Sequence, residues 1–505
     1  MGKRIKKTVW PLIFVFVLSW FLISQTRDTK INQDDWEYQL RKYSRIYTYI
    51  KMVYPKKFDK EKLFFSSIAG FLNRLDPHSY FLDPVAVRTM NEDQQGNYYG
   101  IGTRITKYED NLTVISPIKG TPAYQLGITA GDVIVTIDGQ ETKDMSLDDA
   151  MRKLRGAKDT YVNIKIMREG IDTLIPFRIK REEISLESIS FASVHPAQPL
   201  IGYISIRTFG NTTAEEFSEK MEELIGTHKI KALILDLRGN AGGSLYAAVD
   251  IADFFLPKGK VIVSIKGRNV KQNFIAQKNN QYETLPLVTL INRGSASASE
   301  IVASALQDHK RAVIIGTRSW GKGLVQTVHK LAMNSSLALT TAKYYTPSNK
   351  CLQRDFSKLD DYIFVRNTRN YDKDITMVGG VIPDIHVKGD IYPTLLVTFI
   401  SRGLFFKFSR ELIEKGLKIE ENFTADDKII KKFKRFLKRN KIQYDAAAFD
   451  KHIKITRYEI EKEILSNTFS IEKGLDVFLN ADPVTREAVK ELSIKLSETE
   501  KGNEK

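Results

Sequence analysis

The spacing of apolar residues predicts helices in the first part of the chain and short strands in the next. In the first part, apolar side chains recur at helical intervals, as at Phe64 and Ile68. From Gly96 the pattern changes to short β-rich runs separated by Gly, Pro and Asp, which is typical of strands joined by turns. We therefore expect a helical module over residues 31–95 and a compact β domain over residues 96–185.

Apolar strands that alternate with helices follow after residue 200. Three runs have the character of buried strands, and they are Lys231–Leu237, Leu287–Ile291 and Arg311–Ile315. Their alternation with helical segments predicts an α/β layered core over residues 186–390. From about residue 392 the pattern is mostly helical and rich in lysine, so residues 391–505 are expected to form a helical basic C-terminal extension. Its densest basic run is Lys428–Arg439.

The N-terminus carries a segment suited to a membrane. Val9–Ser24 has 16 residues without a charge, and four Lys or Arg residues precede it. As a helix at ~1.5 Å per residue it covers about 24 Å, less than the ~30 Å of a hydrocarbon core. No small-x-small cleavage site follows, so we expect an uncleaved signal anchor within residues 1–30, with residues 27–505 on the non-cytoplasmic side. A removed signal peptide and a buried core helix are the alternatives.

Composition excludes several kinds of site but does not identify a binding partner. The 505 residues include 77 Lys and Arg against 61 Asp and Glu, and the net charge of +16 suits nucleic acid, an anionic membrane surface or simple solubility. A single cysteine, Cys351, excludes an intramolecular disulfide and cysteine-rich zinc or iron–sulfur sites. The seven histidines include no HExxH pair, and we predict neither a metal nor a cofactor.

The β domain contains a motif suited to binding a peptide carboxylate. Tyr99-Gly100-Ile101-Gly102 enters a strand with two glycines, where adjacent backbone amides can form a nest for an anion. An isolated Gly-x-Gly is weak evidence for a carboxylate site, since such glycines often only make turns. The order of Gly, Pro and apolar segments that follows, up to an amphipathic helix near Ser146, resembles a PDZ domain. The resemblance implies that the glycine loop binds a terminal carboxylate and that the peptide adds as a strand beside that helix.

Two further segments carry candidate chemistry in the α/β core. Ser295, Ser297 and Ser299 stand between an apolar strand and a helix, where the partial positive charge of the helix N-terminus suits an oxyanion. The plainer interpretation is a capping box formed by Ser297 and Glu300. The second segment follows another apolar strand and holds Lys322 between two glycines. It comes close to a P-loop but lacks the hydroxyl that would bind magnesium.

Together these segments resemble the carboxyl-terminal processing proteases, also called tail-specific proteases, over about residues 65–390. The resemblance rests on seven markers in the family's order, which are Asp76-Pro-His-Ser79, the PDZ segment, Asp236–Gly243, Gly294–Glu300, Gly316–Gln326, Thr341–Pro347 and Gly379–Asp384. It implies a multidomain α/β and α+β protein, in which a serine endopeptidase core of crotonase-like α/β fold follows a PDZ domain.

The family pattern implies a role for each candidate residue. It maps the nucleophile to Ser297, the general base to Lys322, and the glutamine that orients the base, one turn later, to Gln326. By the same analogy the backbone amides of Gly243 and Ala298 are candidates for the oxyanion hole.

The chemistry agrees with a serine–lysine pair. Lysine accepts a proton only when it is neutral, and lowering its pKa from ~10.4 toward ~7.5 takes about 4 kcal/mol of desolvation or like-charge influence. We therefore expect Lys322 to be largely buried.

The expected function is a serine endopeptidase that recognises C-terminal tails of exported proteins through its PDZ domain. The expected location is the periplasmic side of the inner membrane, or the periplasm if the leader is removed. Expected partners are peptides with free C-termini and, through residues 9–24, the membrane. The protein could also form homo-oligomers.

One alternative function is a catalytically silent PDZ scaffold, which would keep Gly100 and Gly102 but lack Ser297 or Lys322. Another is a nucleic-acid-binding protein, disfavoured because an exported chain meets no DNA.

Overall fold

The computed structural model describes residues 36–503, except 109, 119, 169–170, 280–281, 355–378 and 390–391. The chain divides into two units, residues 1–70 and residues 71–505. The predicted membrane segment, Val9–Ser24, lies outside the described residues. Among the helices of the described part, none is both long enough and apolar enough to cross a membrane.

The first unit contains a pair of helices, as the spacing of its apolar residues predicts. Helix α1 spans Trp36–Val53, and α2 spans Lys60–Leu72 and ends just inside the second unit. The hydroxyl groups of Tyr43 and Ser67 share a hydrogen bond. No residue of α1 is buried.

The second unit begins with a strand that the helical pattern did not indicate. Strand β1 (Tyr80–Leu82) precedes helix α3 (Pro84–Gln95). Tyr80 of β1 pairs with Ala338, far along the chain. Residues 31–95 are therefore not helical throughout, because this short strand depends on a distant sheet for its hydrogen bonds.

The β domain is an antiparallel sheet with one main helix. Its strands are β2 (Asn97–Gly100), β3 (Thr103–Tyr108), β4 (Asn111–Pro117), β5 (Val133–Ile137), β6 (Gln140–Glu141), β7 (Tyr161–Met167), β8 (Ile175–Lys180) and β9 (Glu182–Ser185), and its helices are α4 (Pro122–Gln125) and α5 (Leu147–Leu154). The main sheet has the order β3-β4-β5-β7-β8, and β2 pairs with β9. Ser146 caps α5, since its Oγ accepts the N–H of Asp149 at 3.1 Å.

The remaining strands build two sheets. They are β10 (Ile189–His195), β11 (Gln198–Ile206), β12 (Ala232–Asp236), β13 (Val261–Gly267), β14 (Lys271–Ile275), β15 (Leu287–Ile291), β16 (Val313–Gly316), β17 (Leu324–Lys330), β18 (Ser336–Tyr345) and β19 (Ile385–His386). The central sheet has the order β10-β11-β12-β15-β16-β19, in which all neighbours except β10 and β11 are parallel. The second sheet has the order β1-β18-β13-β14, and β17 pairs with β18.

Helices cover one face of the central sheet. They are α6 (Thr213–Gly226), α7 (Leu245–Asp253) and α8 (Ala298–Asp308). Every residue of β12 and β15 is buried, which is typical of parallel strands covered on both faces. The predicted apolar runs therefore match strands β12, β15 and β16, and the predicted α/β layers are confirmed.

The C-terminal region is helical, as its pattern predicts. Its helices are α9 (Thr394–Ser401), α10 (Leu404–Glu414), α11 (Asp427–Arg439), α12 (Ala446–Lys451), α13 (Ile453–Thr468), α14 (Ile471–Ala481) and α15 (Pro483–Asn503). Helices α9 to α13 share an apolar cluster rich in aromatic side chains, among them Phe399, Phe405, Phe408, Phe433, Phe436 and Phe449.

The last helix belongs to the core rather than to this cluster. Val484, Ala488 and Leu492 of α15 are buried against apolar residues of the central sheet such as Ile234 and Leu290. Helix α15 thus forms part of the second layer over the sheet, opposite helices α6 to α8. The apolar pattern along the chain predicted a core that ends at residue 390 and did not indicate this packing.

We expect Leu492→Ala to lower the free energy of unfolding by about 3 kcal/mol, because it opens a cavity in a fully buried contact. Urea unfolding followed by circular dichroism measures the change. Ile494→Ala is the matched control on the same helix, since Ile494 is 48% exposed and its truncation should cost less than about 0.5 kcal/mol. Equal effects of the two substitutions would contradict the packing of α15 on the sheet.

Candidate active site

Ser297 occupies a strained turn at the start of α8. The chain leaves β15 at Ile291 and enters α8 at Ala298, and Ser297 has a φ of +53°. A positive φ is uncommon for a residue with a side chain, and such strain recurs at functional sites. The surrounding structure holds the serine in this conformation at a helix N-terminus.

The structure separates the three neighbouring serines. The Ser295 hydroxyl donates to the carbonyl of Leu237 at 2.8 Å, and the Ser299 hydroxyl donates to that of Asn240 at 2.8 Å. Both serines are fully buried, whereas Ser297 is partly exposed. Ser295 and Ser299 therefore hold the turn in place, and Ser297 is the serine of the three that a substrate can reach.

The glycine loop after β12 lies directly against this turn. A side chain at Gly242 would place its Cβ 2.8 Å from the Cβ of Ser297 and 3.0 Å from the nitrogen of Ala298, so only glycine fits. Asn240 shapes the loop, because its Oδ1 accepts the N–H of Gly242 at 2.8 Å. In the part of the chain that the structure describes, the amides of Gly243 and Ala298 have no backbone acceptor. The two backbone amides predicted to form the oxyanion hole therefore lie on the glycine loop and on the serine turn, which contact each other here.

Lys322 lies in the loop between β16 and β17 and is half-buried. Burial lowers the pKa of its ammonium group, and the negative charge of Glu300 opposes part of this shift. The direction is the one that a general base requires, since a lower pKa raises the neutral fraction of the lysine near neutral pH.

Glu300 connects the serine turn to the lysine loop. It is fully buried, and its carboxylate accepts the N–H of Ser297 at 2.8 Å and that of Lys322 at 2.8 Å. It also accepts the N–H of Gly321 at 2.6 Å and the hydroxyl of Ser319 at 2.5 Å. Burial raises the pKa of the Glu300 carboxyl, while these donors lower it. The capping-box spacing indicated only the contact with Ser297, so sequence reasoning missed the link to Lys322.

Gln326 is placed differently from the expectation. It lies on strand β17, not one helical turn after the lysine, and its side-chain amide donates to the main-chain carbonyl of His78. Burial lowers the pKa of His78, and the positive charge of Lys322 lowers it further, so the two side chains are close enough to interact. The structure thereby brings the Asp76-Pro-His-Ser79 marker to the site. The role of Gln326 toward Lys322 stays a prediction.

A second buried network ties the site to the C-terminal helices. The Arg238 guanidinium donates to Asp236 at 2.6 Å and to Asp482 at 2.7 Å, and the Tyr203 hydroxyl donates to Asp236. Asp482 also accepts the N–H of Thr485 at 2.9 Å, which caps α15. Because Arg238 directly precedes the glycine loop, α15 is anchored to the segment that contacts Ser297.

The predicted carboxylate loop precedes an open strand edge in the β domain. The carbonyls of Tyr99 and Ile101 accept the N–H groups of Gly156 and Ala123 at 3.1 and 2.9 Å, which fixes the loop. Gly102 has a φ of +76°, and any side chain there would overlap Thr121.

Strand β3, which follows this loop, borders the groove expected to accept a peptide. Among the described strands it pairs only with β4, so its other edge is open beside α5. The geometry suits a peptide added as a strand.

Comparisons with known proteins agree with this arrangement. A model of peptidase family S41 matches residues 200–361, and a model of the PDZ domain matches residues 113–168. The carboxy-terminal-processing protease of Bartonella bacilliformis is 37% identical over 356 residues, covering 69% of this chain and 80% of that protein. The chain belongs to peptidase family S41. It is a serine protease with a PDZ domain, and the predicted resemblance is confirmed.

Two other carboxy-terminal processing proteases are similar over most of the chain. The carboxy-terminal processing protease CtpA of Bacillus subtilis is 28% identical, covering 86% of this chain and 89% of its own length. The solved photosystem II D1 C-terminal processing protease is 29% identical with a TM-score of 0.39, covering 76% of this chain and 95% of that structure. Membership in a family of serine proteases favours the enzyme over the silent scaffold.

We expect Glu300→Gln to lower kcat by about 100-fold and to change KM by less than about threefold. The substituted amide presents a donor to backbone N–H groups that need an acceptor, so the serine and the lysine lose their common support. Peptide cleavage kinetics measure both constants. Glu219→Gln is the matched control on an exposed helix position and should leave them unchanged. A normal kcat for Glu300→Gln would contradict the positioning role.

Proposed function

We propose that Ser297 and Lys322 form a serine–lysine dyad that cleaves peptide bonds in the C-terminal tails of exported proteins. The observation that carries the proposal is the Glu300 carboxylate, which accepts the N–H groups of both Ser297 and Lys322. A partly exposed serine at a strained helix start and a lysine whose pKa burial lowers add support. The PDZ domain would hold the tail through its terminal carboxylate at Tyr99–Gly102.

The proposed mechanism uses only groups of this chain and water. Neutral Lys322 accepts the proton of the Ser297 hydroxyl as the serine oxygen attacks the scissile carbonyl carbon. The amides of Gly243 and Ala298 stabilise the oxyanion, and the N-terminal end of α8 adds its partial positive charge. Protonated Lys322 then gives its proton to the leaving amine. Neutral again, the same lysine takes a proton from water as the water oxygen attacks the acyl-enzyme, and it returns that proton to the Ser297 oxygen as the ester bond breaks.

The proposed location follows from the N-terminal sequence alone. The uncharged Val9–Ser24 segment after a basic cluster supports attachment to the inner membrane with the protease on its periplasmic side. Fractionation of cells that make the full chain tests this: the protein should stay with membranes after a high-salt wash. A soluble product that starts near residue 27 would show a removed signal peptide instead.

We expect Ser297→Ala to lower kcat/KM by at least about 1,000-fold, because it removes the nucleophile. Ser295→Ala and Ser299→Ala are matched controls within the same turn. Each removes one of the two donors to a buried carbonyl, which should cost about 1 kcal/mol of stability while activity at 25 °C stays within about threefold. Cleavage of a fluorogenic peptide with a free apolar C-terminus measures the rates. Loss of activity in either control, with Ser297→Ala still active, would reassign the nucleophile.

The same peptide with an amidated C-terminus tests the tail-binding part separately. If the PDZ domain holds the terminal carboxylate, amidation should raise KM about tenfold in the wild type and leave Ser297→Ala inactive. Equal KM values for the two peptides would contradict tail recognition without affecting the dyad.

We expect kcat/KM to rise with pH and to reach half its plateau below the ordinary lysine pKa of ~10.4, since only neutral Lys322 accepts the serine proton. Burial lowers the pKa of Lys322, so the rise is displaced toward neutral pH. Lys322→Arg should be inactive across the range, because arginine keeps its charge. His78→Asn is the control for a nearby base. Activity in Lys322→Arg together with its loss in His78→Asn would assign the base to His78.

A further inference from the structure

The outward side of α11 carries a row of cationic side chains that the proposed catalytic function does not use. We name this row the basic stripe, and its members are Lys428, Lys431, Lys432, Arg435 and Lys438. All five are exposed and follow helical spacing along one side. Ile430, Phe433 and Leu437 on the other side are buried in the aromatic cluster. The helix therefore separates an apolar side, which the fold uses, from a cationic side that faces solvent.

Folding does not account for the charges of the basic stripe. Two other cations of α11 have internal partners, since Lys434 pairs with Asp450 at 2.6 Å and Arg439 pairs with Glu411. In the described part of the chain, no acidic side chain forms a salt bridge with any member of the basic stripe. Like charges three and four residues apart destabilise an isolated helix. The stripe thus costs stability, and an external anion would offset that cost.

An open cleft continues the basic stripe beyond the end of α11. Its volume is about 490 Å³, and its lining includes Arg435, Lys438, Gln443 and Tyr444. Cationic and amide donors on the wall of an open cleft suit a phosphate oxygen. The exposed Lys441 lies just after the helix and adds another positive charge.

We propose that the basic stripe docks this region of the protein on an anionic lipid bilayer, with lipid phosphate groups as its ligands. The last member, Lys438, lies ten positions after the first, Lys428, so the stripe extends over about 15 Å of helix at ~1.5 Å per residue. Lysine is a flexible point charge suited to a surface of many phosphates rather than to one fixed partner. Each basic residue near an anionic bilayer strengthens binding, and salt weakens the attraction.

The aromatic residues favour a bilayer over a single-stranded nucleic acid. Single-stranded nucleic acids bind by stacking bases on exposed aromatic side chains. Here Phe433 and Phe436 are buried, and Tyr444 packs on Phe399 and Phe449 with ring centroids 5.9 and 5.2 Å apart. Cationic and amide side chains remain for contact, and these suit the phosphate plane of a lipid surface. The predicted anchor at the N-terminus would hold the chain at such a surface.

The test measures lysine reactivity in the full chain, reconstituted into vesicles with or without anionic lipid. An amine-reactive label followed by mass spectrometry reports each lysine separately. In vesicles with about 30% phosphatidylglycerol, the lysines of the basic stripe and Lys441 should react at least about threefold more slowly than in pure phosphatidylcholine. About 0.5 M salt should restore their reactivity. Lys258 and Lys260 in the core, which are exposed, should change little.

Two variants with equal net charge separate the position of the charges from their number. The first variant replaces four lysines of the basic stripe by Gln, namely Lys428, Lys431, Lys432 and Lys438. The second variant replaces four exposed lysines of the core by Gln, namely Lys258, Lys260, Lys271 and Lys330. Each change takes the chain from +16 to +12. Lys441 should lose its lipid-dependent protection in the first variant and keep it in the second. Peptide cleavage in both should match the wild type, which shows that both fold.

Three outcomes would overturn the proposal. One is equal reactivity of the stripe lysines in anionic and neutral vesicles. Another is unchanged protection of Lys441 in the stripe variant. The third is protection by an added oligonucleotide in neutral vesicles without any protection by anionic lipid, which would assign the stripe to nucleic acid. None of these outcomes bears on the serine–lysine dyad, because the proposal does not depend on the catalytic assignment.

Discussion

The buried carboxylate of Glu300 is the interaction on which the arrangement of the active site depends. A charge removed from water is costly unless donors surround it, and this one accepts hydrogen bonds from three backbone amides and one hydroxyl. The donors come from two loops that are separate in sequence. The carboxylate keeps all its hydrogen bonds only while both loops hold their positions. This requirement fixes the positions of Ser297 and Lys322.

The central sheet beneath the site also depends on burial, because its two faces must be covered. The central parallel strands are apolar on both faces, so the sheet needs a layer of helices on each side. Helix α15 contributes to the second layer, and Asp482 at its start is bonded to Arg238 next to the glycine loop. The C-terminal region is thus part of the support of the catalytic loops. It also carries a cationic surface that the core does not need.

Local pattern was sufficient for most elements and for the family. Apolar runs predicted strands β12, β15 and β16, and the amphipathic pattern near Ser146 predicted α5. The order of short motifs indicated a PDZ domain and a carboxyl-terminal processing protease. The family pattern, which placed Gln326 one turn after Lys322, did not indicate that this residue lies on strand β17.

The sequence by itself determined most of the elements and the candidates Ser297 and Lys322, because periodicity, caps and short motifs are properties of neighbouring residues. Tertiary structure decided which serine stays accessible and what Glu300 binds. It also decided that α15 covers the sheet and that β1 joins β18. These contacts join residues from about 20 to more than 250 positions apart. Such pairs leave no local pattern, because only packing and the need to satisfy buried polar groups bring them together.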